Sequence, residues 1–359
     1  MVLLQFMFYR EPVKSKLVDG FIVPPTHFEV LAVDHCNITC QYCNHASPLM
    51  PAWNANPDTV YKDYSILAKY YRPKFAKILG GEPLLHPNLD LVIQAARASG
   101  ISKHFVLTTN GTLLHTAKDA IWEAIDEIEI SLYPCARLSK KNLSQAQNKA
   151  ESFGKKFTIF EYEQFRATFA LHGTSDKEFI KKVFSACKVA NIWGCHAARD
   201  GYFYKCPQSA YISLMKNQDA RKEGLPIVDS PSFQSELLEY VNSPNPLDSC
   251  AYCAGTVGKK DPACLLPRKE WEKHIEKTLE EIVDYDWLDR SLVGQDQFDD
   301  CKYVSSWILP NTFSKNILLK RISKFFWPVV GKFWMMYRQK RSIRQSAEQA
   351  RQLYKKEKK

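Results

Sequence analysis

Three cysteines near the start of this 359-residue chain have a spacing suited to metal chemistry. Cys36, Cys40 and Cys43 follow the pattern C-x3-C-x2-C, so one short loop can turn three thiolates toward the same centre. A tetrahedral zinc ion needs a fourth ligand, for which His35 or His45 would have to serve. A 4Fe–4S cluster held by three thiolates instead leaves one iron free for a small chelating ligand. The pattern favours the cluster over zinc.

The cysteine loop directly follows a predicted strand, and strands and helices then alternate along the chain. Apolar, β-branched runs predict strands at 28–33, 75–79, 104–108, 127–132 and 156–162. Amphipathic runs predict helices at 57–71, 88–99, 116–125 and 140–152. This alternation indicates a parallel sheet of βαβ units, open or closed into a barrel. In such sheets the chemistry collects on the loops that follow the carboxyl ends of the strands.

Short motifs follow the next three strands at these positions. Residues 80–83 read GGEP after the second strand, residues 108–112 read TTNGT at the end of the third, and Ser131 lies near the end of the fourth. Together with C-x3-C-x2-C and the aromatic Tyr42 before its last cysteine, these motifs resemble the radical S-adenosylmethionine (SAM) superfamily. The resemblance covers about residues 26–165. It implies a partial (β/α)6 TIM-like barrel with α/β architecture.

The resemblance also implies cofactors and their ligands. A 4Fe–4S cluster on the cysteine triplet would bind SAM through its open iron and receive an electron from a donor such as flavodoxin or ferredoxin. Cleavage of SAM would give a 5′-deoxyadenosyl radical that takes a hydrogen atom from a substrate. Glycines would allow close backbone approach, and a carboxylate would pair with the SAM ammonium. The SAM-binding residues implied are Tyr42, Gly80, Gly81, Glu82, Thr109, Asn110 and Ser131.

A second group of cysteines lies in the turn-rich stretch 187–265, which holds six of the eleven. Its pattern C-x13-G-x4-C, followed by C-x2-C, resembles the auxiliary-cluster segment called the twitch domain, a shortened SPASM domain. The resemblance implies one further 4Fe–4S cluster, with Cys195 as an alternative to the first ligand. A structural zinc site with four thiolates is the other interpretation of this segment. The implied cluster ligands are Cys187, Cys206, Cys250 and Cys253.

The expected reaction is a dehydrogenation. A cluster with four protein ligands cannot bind substrate but can accept an electron, so a substrate radical would be oxidised. The substrate would be a hydroxyl-bearing small molecule such as a sugar, polyol or glycan precursor. Glu163 and Arg166, after the fifth strand, are the candidate catalytic residues, with Glu163 as a general base. His45 and Ser47 are further candidates to face the substrate.

Two alternatives remain open. The first is a maturase of a ribosomally made peptide, since many enzymes with twitch or SPASM segments modify peptides. Only 35 residues precede Cys36, fewer than a leader-recognition domain would need, so the small-molecule hypothesis is preferred. The second is a non-enzymatic, zinc-stapled module that binds membranes.

The net charge of +10 is concentrated at the carboxyl end. Residues 311–359 hold 14 Lys and Arg against two Glu, whereas the rest of the chain holds 35 basic and 37 acidic groups. Nucleic acid binding is therefore not indicated. The aromatic and basic stretch 317–337 fits a helix in an anionic membrane interface, or a core-packing helix before a solvated end. The expected location is the cytoplasm, with this tail at the inner membrane face if it binds membrane.

The sequence thus divides into five predicted regions. They are an amino-terminal extension (1–25), a radical SAM core barrel (26–180), a twitch-like module (181–266), a helix and linker (267–310) and a basic amphipathic tail (311–359). In the fourth region a charged helix is predicted at 268–285 and an irregular linker at 295–311.

Overall fold

A nine-stranded sheet dominates the computed structural model, which describes residues 10–136, 138–296 and 302–307. The strands of the described residues are β1 (Lys16–Val18), β2 (Phe21–Val23), β3 (Phe28–Val33), β4 (Ala76–Gly80), β5 (Phe105–Thr109), β6 (Glu127–Leu132), β7 (Lys156–Glu161), β8 (Gln164–Arg166), β9 (His196–Arg199), β10 (Tyr202–Tyr204), β11 (Leu225–Pro226), β12 (Lys260–Pro262) and β13 (Lys302–Trp307). The α-helices are α1 (Pro57–Leu67), α2 (Leu89–Ala98), α3 (Asp119–Ala124), α4 (Lys140–Ser152), α5 (Lys177–Ala186), α6 (Pro207–Met215), α7 (Phe233–Asn242), α8 (Arg268–Ile275), α9 (Leu279–Ile282) and α10 (Tyr285–Leu292).

The strand order of the large sheet is β11-β10-β9-β3-β4-β5-β6-β7-β13. Strands β3 to β7 are parallel neighbours in chain order, with helices α1 to α4 in the connections between them. The predicted α/β class with a mostly parallel sheet is confirmed. All five predicted strands are present, each within one residue of its expected bounds.

The sixth parallel strand, β9, lies beside β3 at the opposite side of the sheet from β7. It forms a hairpin with β10 through Asp200 and Gly201, which both have positive φ, as a tight two-residue turn requires. The sequence places this hairpin in the twitch-like module, yet it extends the main sheet. The cysteine-rich segment is therefore built directly onto the edge of the barrel strands.

Both faces of the sheet are covered. Phe28 and Val30 of β3 pack into the cluster that contains Leu67 of α1, whereas Leu31 faces a second cluster with Tyr211. Every residue of β3 is buried, as expected for a strand inside a parallel sheet. Helix α1 begins cleanly because the Asn56 side chain accepts hydrogen bonds from the first free amides.

Four sequence-based element assignments need correction. The predicted helix 57–71 ends at Leu67, since the chain turns so that Tyr71 can bridge to Ile22. The predicted helix 116–125 covers only Asp119–Ala124. The predicted irregular linker 295–311 contains β13, which pairs antiparallel with β7.

The predicted charged helix 268–285 is broken into α8 and α9, and α10 follows. A capping box starts α9: the Thr278 hydroxyl accepts from the Glu281 amide, and the Glu281 carboxylate accepts from the Thr278 amide at 2.6 Å. The His172 amide also donates to the Lys277 carbonyl at 3.1 Å, which holds the chain out of the helix. The capping signal was present in the sequence but was overlooked.

No helix in the part of the chain that the structure describes has both the length and the apolar character needed to cross a membrane. The predicted tail 311–359 lies outside the described residues. The boundaries between the five predicted regions stay predictions.

Candidate functional site

The cysteine triplet occupies the loop that follows β3. Backbone hydrogen bonds from Cys43 to the Cys40 carbonyl at 3.2 Å, and from Ala46 to the Cys43 carbonyl at 2.9 Å, coil the loop on itself. Burial raises the pKa of Cys36 to about 12. Burial first, and then the neighbouring thiols Cys43 and Cys36, raise the pKa of Cys40. The loop therefore brings the three thiols close together, and without a cation the thiols of Cys36 and Cys40 are neutral at pH 7.

Gly80 and Gly81 hold the backbone after β4 against this loop. The Gly81 amide donates to the Val33 carbonyl at 2.8 Å, and the Glu82 amide donates to the His35 carbonyl at 3.0 Å. A Cβ atom would lie 2.2 Å from the Val33 oxygen at Gly80 and 1.9 Å from the His35 oxygen at Gly81. No side chain fits at either position. In this structure the glycines serve close approach to the cysteine loop itself, and their contact with SAM stays a prediction.

Glu82 joins the loops after β4 and β5. Its carboxylate is fully buried and accepts hydrogen bonds from the Thr109 hydroxyl at 2.6 Å and the Asn110 amide at 2.9 Å. Burial raises the pKa of Glu82, and these hydrogen bonds oppose the rise. Three predicted SAM-binding residues thus form one hydrogen-bonded unit. Direct pairing of Glu82 with SAM stays a prediction.

Asn110 carries this unit on to the cysteine loop. Its Nδ2 donates to the Asn37 Oδ1 at 2.9 Å and lies 3.8 Å from the Cys36 sulfur. Asn37 in turn donates to the Thr112 hydroxyl at 2.8 Å, which donates to the Asn110 Oδ1 at 2.6 Å. Sequence reasoning missed Asn37. The available signal was an amide residue directly inside the C-x3-C-x2-C loop.

The far side of the cysteine loop is tied to residues more than 200 positions away. The Tyr42 hydroxyl donates to the Asp261 carboxylate at 2.7 Å, and the Trp271 indole donates to the Cys40 carbonyl at 2.8 Å. The Gln41 amide donates to the Cys264 carbonyl at 2.9 Å. Tyr42 is thus positioned by β12, and its predicted role toward SAM is untested. Nothing in the local sequence indicated these partners.

Ser131 is buried at the end of β6, as the motif order predicts. Its hydroxyl is hydrogen-bonded to Tyr133, whose pKa is raised by burial and then by the nearby Cys40 thiol. Tyr133 therefore links Ser131 to the cysteine loop. A direct contact with SAM stays a prediction.

Four further cysteines line one cavity. Cys187 directly follows α5, and Cys206 directly precedes α6. Cys250 lies in a short 3-10 helix (Asp248–Tyr252), and Cys253 directly follows it. Apolar side chains such as Val183, Phe184, Ile212 and Leu247 complete its walls. Burial raises the pKa of Cys253, and the other three thiols of this set raise it further. The structure thus brings together the four cysteines that the twitch resemblance names.

Gly255 keeps space open in this cavity. A Cβ atom at Gly255 would lie 2.7 Å from the Cys187 sulfur. Cys195 is not among the lining residues and lies instead beside Glu29 on β3. The geometry therefore selects Cys187 over Cys195 for the four-thiol set.

One apolar cluster connects the two cysteine sets. Cys43 from the first and Cys253 from the second both pack against the cluster that contains Phe169, Tyr211 and Trp271. Gln208, which lines the four-thiol cavity, donates to the Asn44 carbonyl next to the triplet at 3.5 Å. The two sets are separate but adjacent.

Several buried polar atoms in this intervening region make no hydrogen bond within the described residues. They are the His45 Nε2, the Ser47 Oγ, the Tyr211 hydroxyl and the Gln208 Oε1. The His45 ring meets the Tyr211 ring edge-on at 5.2 Å, and burial lowers the pKa of His45. Unsatisfied buried polar atoms are rare in folded proteins and mark places where a ligand or water binds.

The two predicted catalytic residues lie on or beside β8, which pairs with the strand β12 that carries Asp261. Glu163 is exposed in the turn between β7 and β8, and its carbonyl accepts from the Ala263 amide at 2.9 Å. The Arg166 guanidinium donates to the Gly258 carbonyl at 3.0 Å and stacks over Trp287 at 4.4 Å. Their catalytic roles stay predictions.

The residues present fit two iron–sulfur groups. All ten cysteines that the structure describes are free, and seven of them form the two convergent sets. Closely spaced thiolates repel one another when no cation is bound. Bound metal cations would supply the positive charge that compensates this repulsion. The Gly255 gap beside Cys187 leaves room that a side chain would fill.

Comparison with known proteins agrees with the motifs. Residues 30–133 match the family described as the Radical SAM superfamily. The GTP 3′,8-cyclase of Helicobacter pylori is 34% identical over 119 residues, which are 32% of this chain and 37% of that protein. The corresponding enzyme of Chlorobaculum tepidum is 30% identical over 125 residues, covering 34% of this chain and 38% of that protein. The matched segment thus spans little more than a third of these curated relatives.

Solved structures are similar to this chain at lower sequence identity. BtrN in complex with AdoMet and 2-DOIA shares 17% identity, covers 65% of this chain and 94% of its own, and has a TM-score of 0.37. Streptococcus suis SuiB bound to S-adenosylmethionine shares 21% identity, covers 39% and 34%, and has a TM-score of 0.30. These overlaps are too weak to argue from. The family match agrees with the motifs: residues 30–133 are similar to the radical SAM superfamily, as the sequence predicts.

Proposed function

We propose that this protein is a radical SAM dehydrogenase that oxidises a hydroxyl-bearing small molecule, such as a sugar, polyol or glycan precursor. The observation that carries the proposal is the pair of separate cysteine sets, one with three thiols in a single loop and one with four thiols around a cavity. Three thiols leave a coordination position for SAM, and four do not. The second set therefore suits electron transfer.

In this proposal Cys36, Cys40 and Cys43 hold the first cluster, and the four-thiol set holds the second. When bound, the first cluster and SAM would supply a radical that removes a hydrogen atom from the substrate carbinol. The second cluster would accept the electron that the substrate radical releases together with its hydroxyl proton. A flavodoxin or ferredoxin supplies the initial electron. The unit formed by Glu82, Thr109 and Asn110 keeps the triplet loop fixed against the strand ends.

The region between the two sets is where the substrate would bind. Tyr211, Ser47 and His45 offer polar atoms that lack partners in the described structure, and polyol hydroxyls could satisfy all of them. His45 is neutral at pH 7 because burial lowers its pKa, so one of its ring nitrogens can accept a hydrogen bond. The surrounding apolar cluster excludes water, which protects a radical from side reactions.

Iron and sulfide analysis tests the cofactor part of the proposal. Anaerobically reconstituted protein should contain about eight iron and eight sulfide per chain, as two 4Fe–4S clusters require. About four of each would remove the second cluster. Zinc bound at the four-thiol set, with iron only at the triplet, would show that the second site is structural. This result would contradict the proposed dehydrogenase activity.

Product analysis tests the substrate part. The reduced protein is incubated with SAM and with sugars or polyols deuterated at the carbinol carbon. Deuterium in 5′-deoxyadenosine together with a ketone product is the expected result. GTP, the substrate named for the curated relatives, and short peptides serve as competing substrates. Deuterium transfer from a peptide, or a cyclised GTP product, would replace the dehydrogenase by a maturase or a cyclase.

A further inference from the structure

A third group of metal-ligand side chains lies at the amino end of β3, opposite the end that carries the triplet. His27, Glu29 and Cys195 each offer one ligand atom, and these atoms lie within 4.8 Å of one another. The His27 Nε2 and the Glu29 Oε1 are 3.4 Å apart. The side chain of Glu29 is 9% exposed and that of His27 is 12% exposed, so the group is buried but reaches the surface at the imidazole.

The pairing of two parallel strands creates this group. Glu29 of β3 is in register with Ala197 of β9, and alternate residues of a strand share a face. His27 lies two residues before Glu29, and Cys195 lies two residues before Ala197. The two side chains therefore meet on the same face. Gly194 permits the approach, because a Cβ atom there would lie 2.7 Å from the Pro25 side chain.

Hydrogen bonding fixes the imidazole in a ligand-ready tautomer. The Thr26 hydroxyl donates its single hydrogen to the Trp193 carbonyl, so it can only accept from the His27 Nδ1 at 3.1 Å. In a neutral His27 the Nε2 then carries a lone pair toward the Glu29 carboxylate. Two acceptors that face each other repel unless a proton or a metal cation lies between them.

Only one of the two carboxylate oxygens of Glu29, the one that faces His27, has a hydrogen-bond partner among the described residues. Its Oε2 is buried and makes no hydrogen bond there. The strand neighbour Lys77 is in register with Glu29 but is bound by both oxygens of Glu129, at 2.8 and 3.0 Å. A buried carboxylate oxygen without a partner lowers the free energy of unfolding, and metal coordination is one of the ways in which proteins avoid this loss.

We propose that His27, Glu29 and Cys195 bind one zinc ion, with water as the fourth ligand. One nitrogen, one oxygen and one sulfur donor suit the borderline-soft Zn²⁺, and the Thr26 contact is the outer hydrogen bond that orients a ligating histidine. On binding, the Cys195 thiol loses its proton to solvent. The ion would pin β9 to β3 and so anchor the cysteine-rich segment to the barrel. This site is independent of the proposed dehydrogenase activity.

Metal analysis of the cluster-loaded, full-length protein tests the proposal. The protein is incubated with a small excess of zinc sulfate and desalted, and zinc and iron are then measured. The wild type should retain about one zinc per chain. His27→Ala, Glu29→Gln and Cys195→Ser should each lose it while their iron content is unchanged. His104→Ala is the matched control, since His104 and Glu127 form a similar pair at 3.5 Å, and it should keep the zinc.

X-ray absorption at the zinc edge of the wild type makes the test independent of how the variants fold. One sulfur at about 2.3 Å with nitrogen and oxygen at about 2.0–2.2 Å is the expected shell. Two or more sulfurs would place the zinc in a cysteine cluster site and overturn the proposal. So would a wild type without retained zinc, which leaves His27 and Glu29 as a simple ion pair. Loss of iron in Cys195→Ser would assign that thiol to the second cluster instead.

Discussion

The two cysteine sets of this protein are built in different ways. The triplet comes from one loop of eight residues, and polar contacts from three other segments hold that loop. The four-thiol set comes from separate elements between Cys187 and Cys253, and its walls are largely apolar. A loop that supplies its own ligands leaves one side of the metal site open to a small molecule. Thiols that converge from several directions enclose their site.

This contrast has a functional consequence. Polar clamps around the triplet fix its position without covering it, which suits a site that must admit SAM. The apolar enclosure of the second set suits a group that only exchanges electrons, since low solvent exposure helps to set a cluster's potential. The variants below test whether the two sites can be separated.

The largest expected effect is that of Cys40→Ala. Two remaining thiols cannot hold the first cluster, so SAM cleavage should fall to background. The measurement is 5′-deoxyadenosine formed by the reduced protein. Cys135→Ala is the matched control, because that thiol lies near Cys40 but outside the C-x3-C-x2-C pattern, and it should keep the activity. Retained cleavage in Cys40→Ala would show that the triplet is not the SAM site.

Cys253→Ala should separate the two functions. Iron should fall from about eight to about four per chain, since only the second cluster is lost. SAM cleavage should continue within a few-fold of the wild type, whereas the oxidised product should drop at least tenfold. Cys195→Ser, outside the cavity, should leave iron and product unchanged. If Cys253→Ala abolishes SAM cleavage as well, the two sites are not functionally distinct.

Gly255→Ala should damage the second site alone, and more mildly. Gly255 and Gly201 both have positive φ, so alanine at either position costs about 1–2 kcal/mol of backbone strain. Only at Gly255 would the new methyl lie 2.7 Å from the Cys187 sulfur, whereas nothing lies within 4 Å at Gly201. Gly255→Ala should therefore lower iron content by about two to four per chain, and Gly201→Ala should not. Equal iron in both variants would argue against metal at Cys187.

The smallest effect concerns acid stability at the joint between the two regions. His196 of β9 is fully buried, and burial lowers its pKa to about 3. In the unfolded chain its pKa is about 6.5, so unfolding takes up a proton below that value and stability is lost as pH falls. Between pH 6.5 and 5.5 this histidine should remove about 1 kcal/mol from the free energy of unfolding.

Chemical denaturation at both pH values measures this loss. His196→Gln should show about 1 kcal/mol less pH dependence than the wild type. Tyr71→Phe, which removes the hydrogen bond to His196 but keeps it buried, should retain the dependence. An unchanged slope in His196→Gln would place the acid sensitivity elsewhere.

The prediction from sequence was most successful where local pattern decides structure. Apolar, β-branched runs located β3 to β7, and the motifs at their carboxyl ends fall on the loops that surround the triplet. It failed where a local signal was outweighed or overlooked, as at the capping box of Thr278 that divides one predicted helix. The strand β13 was missed because its pairing with β7 is a long-range event.

The sequence alone determined the cysteine triplet and the order of the motifs, because residues within one loop or at consecutive strand ends are brought together by chain connectivity. Only the tertiary structure decided that Cys187 joins the four-thiol cavity while Cys195 lies beside His27 and Glu29. The pairing of β9 with β3, and not the spacing of the cysteines, sets this division. Contacts across such distances depend on how whole elements pack, and a linear spacing does not encode them.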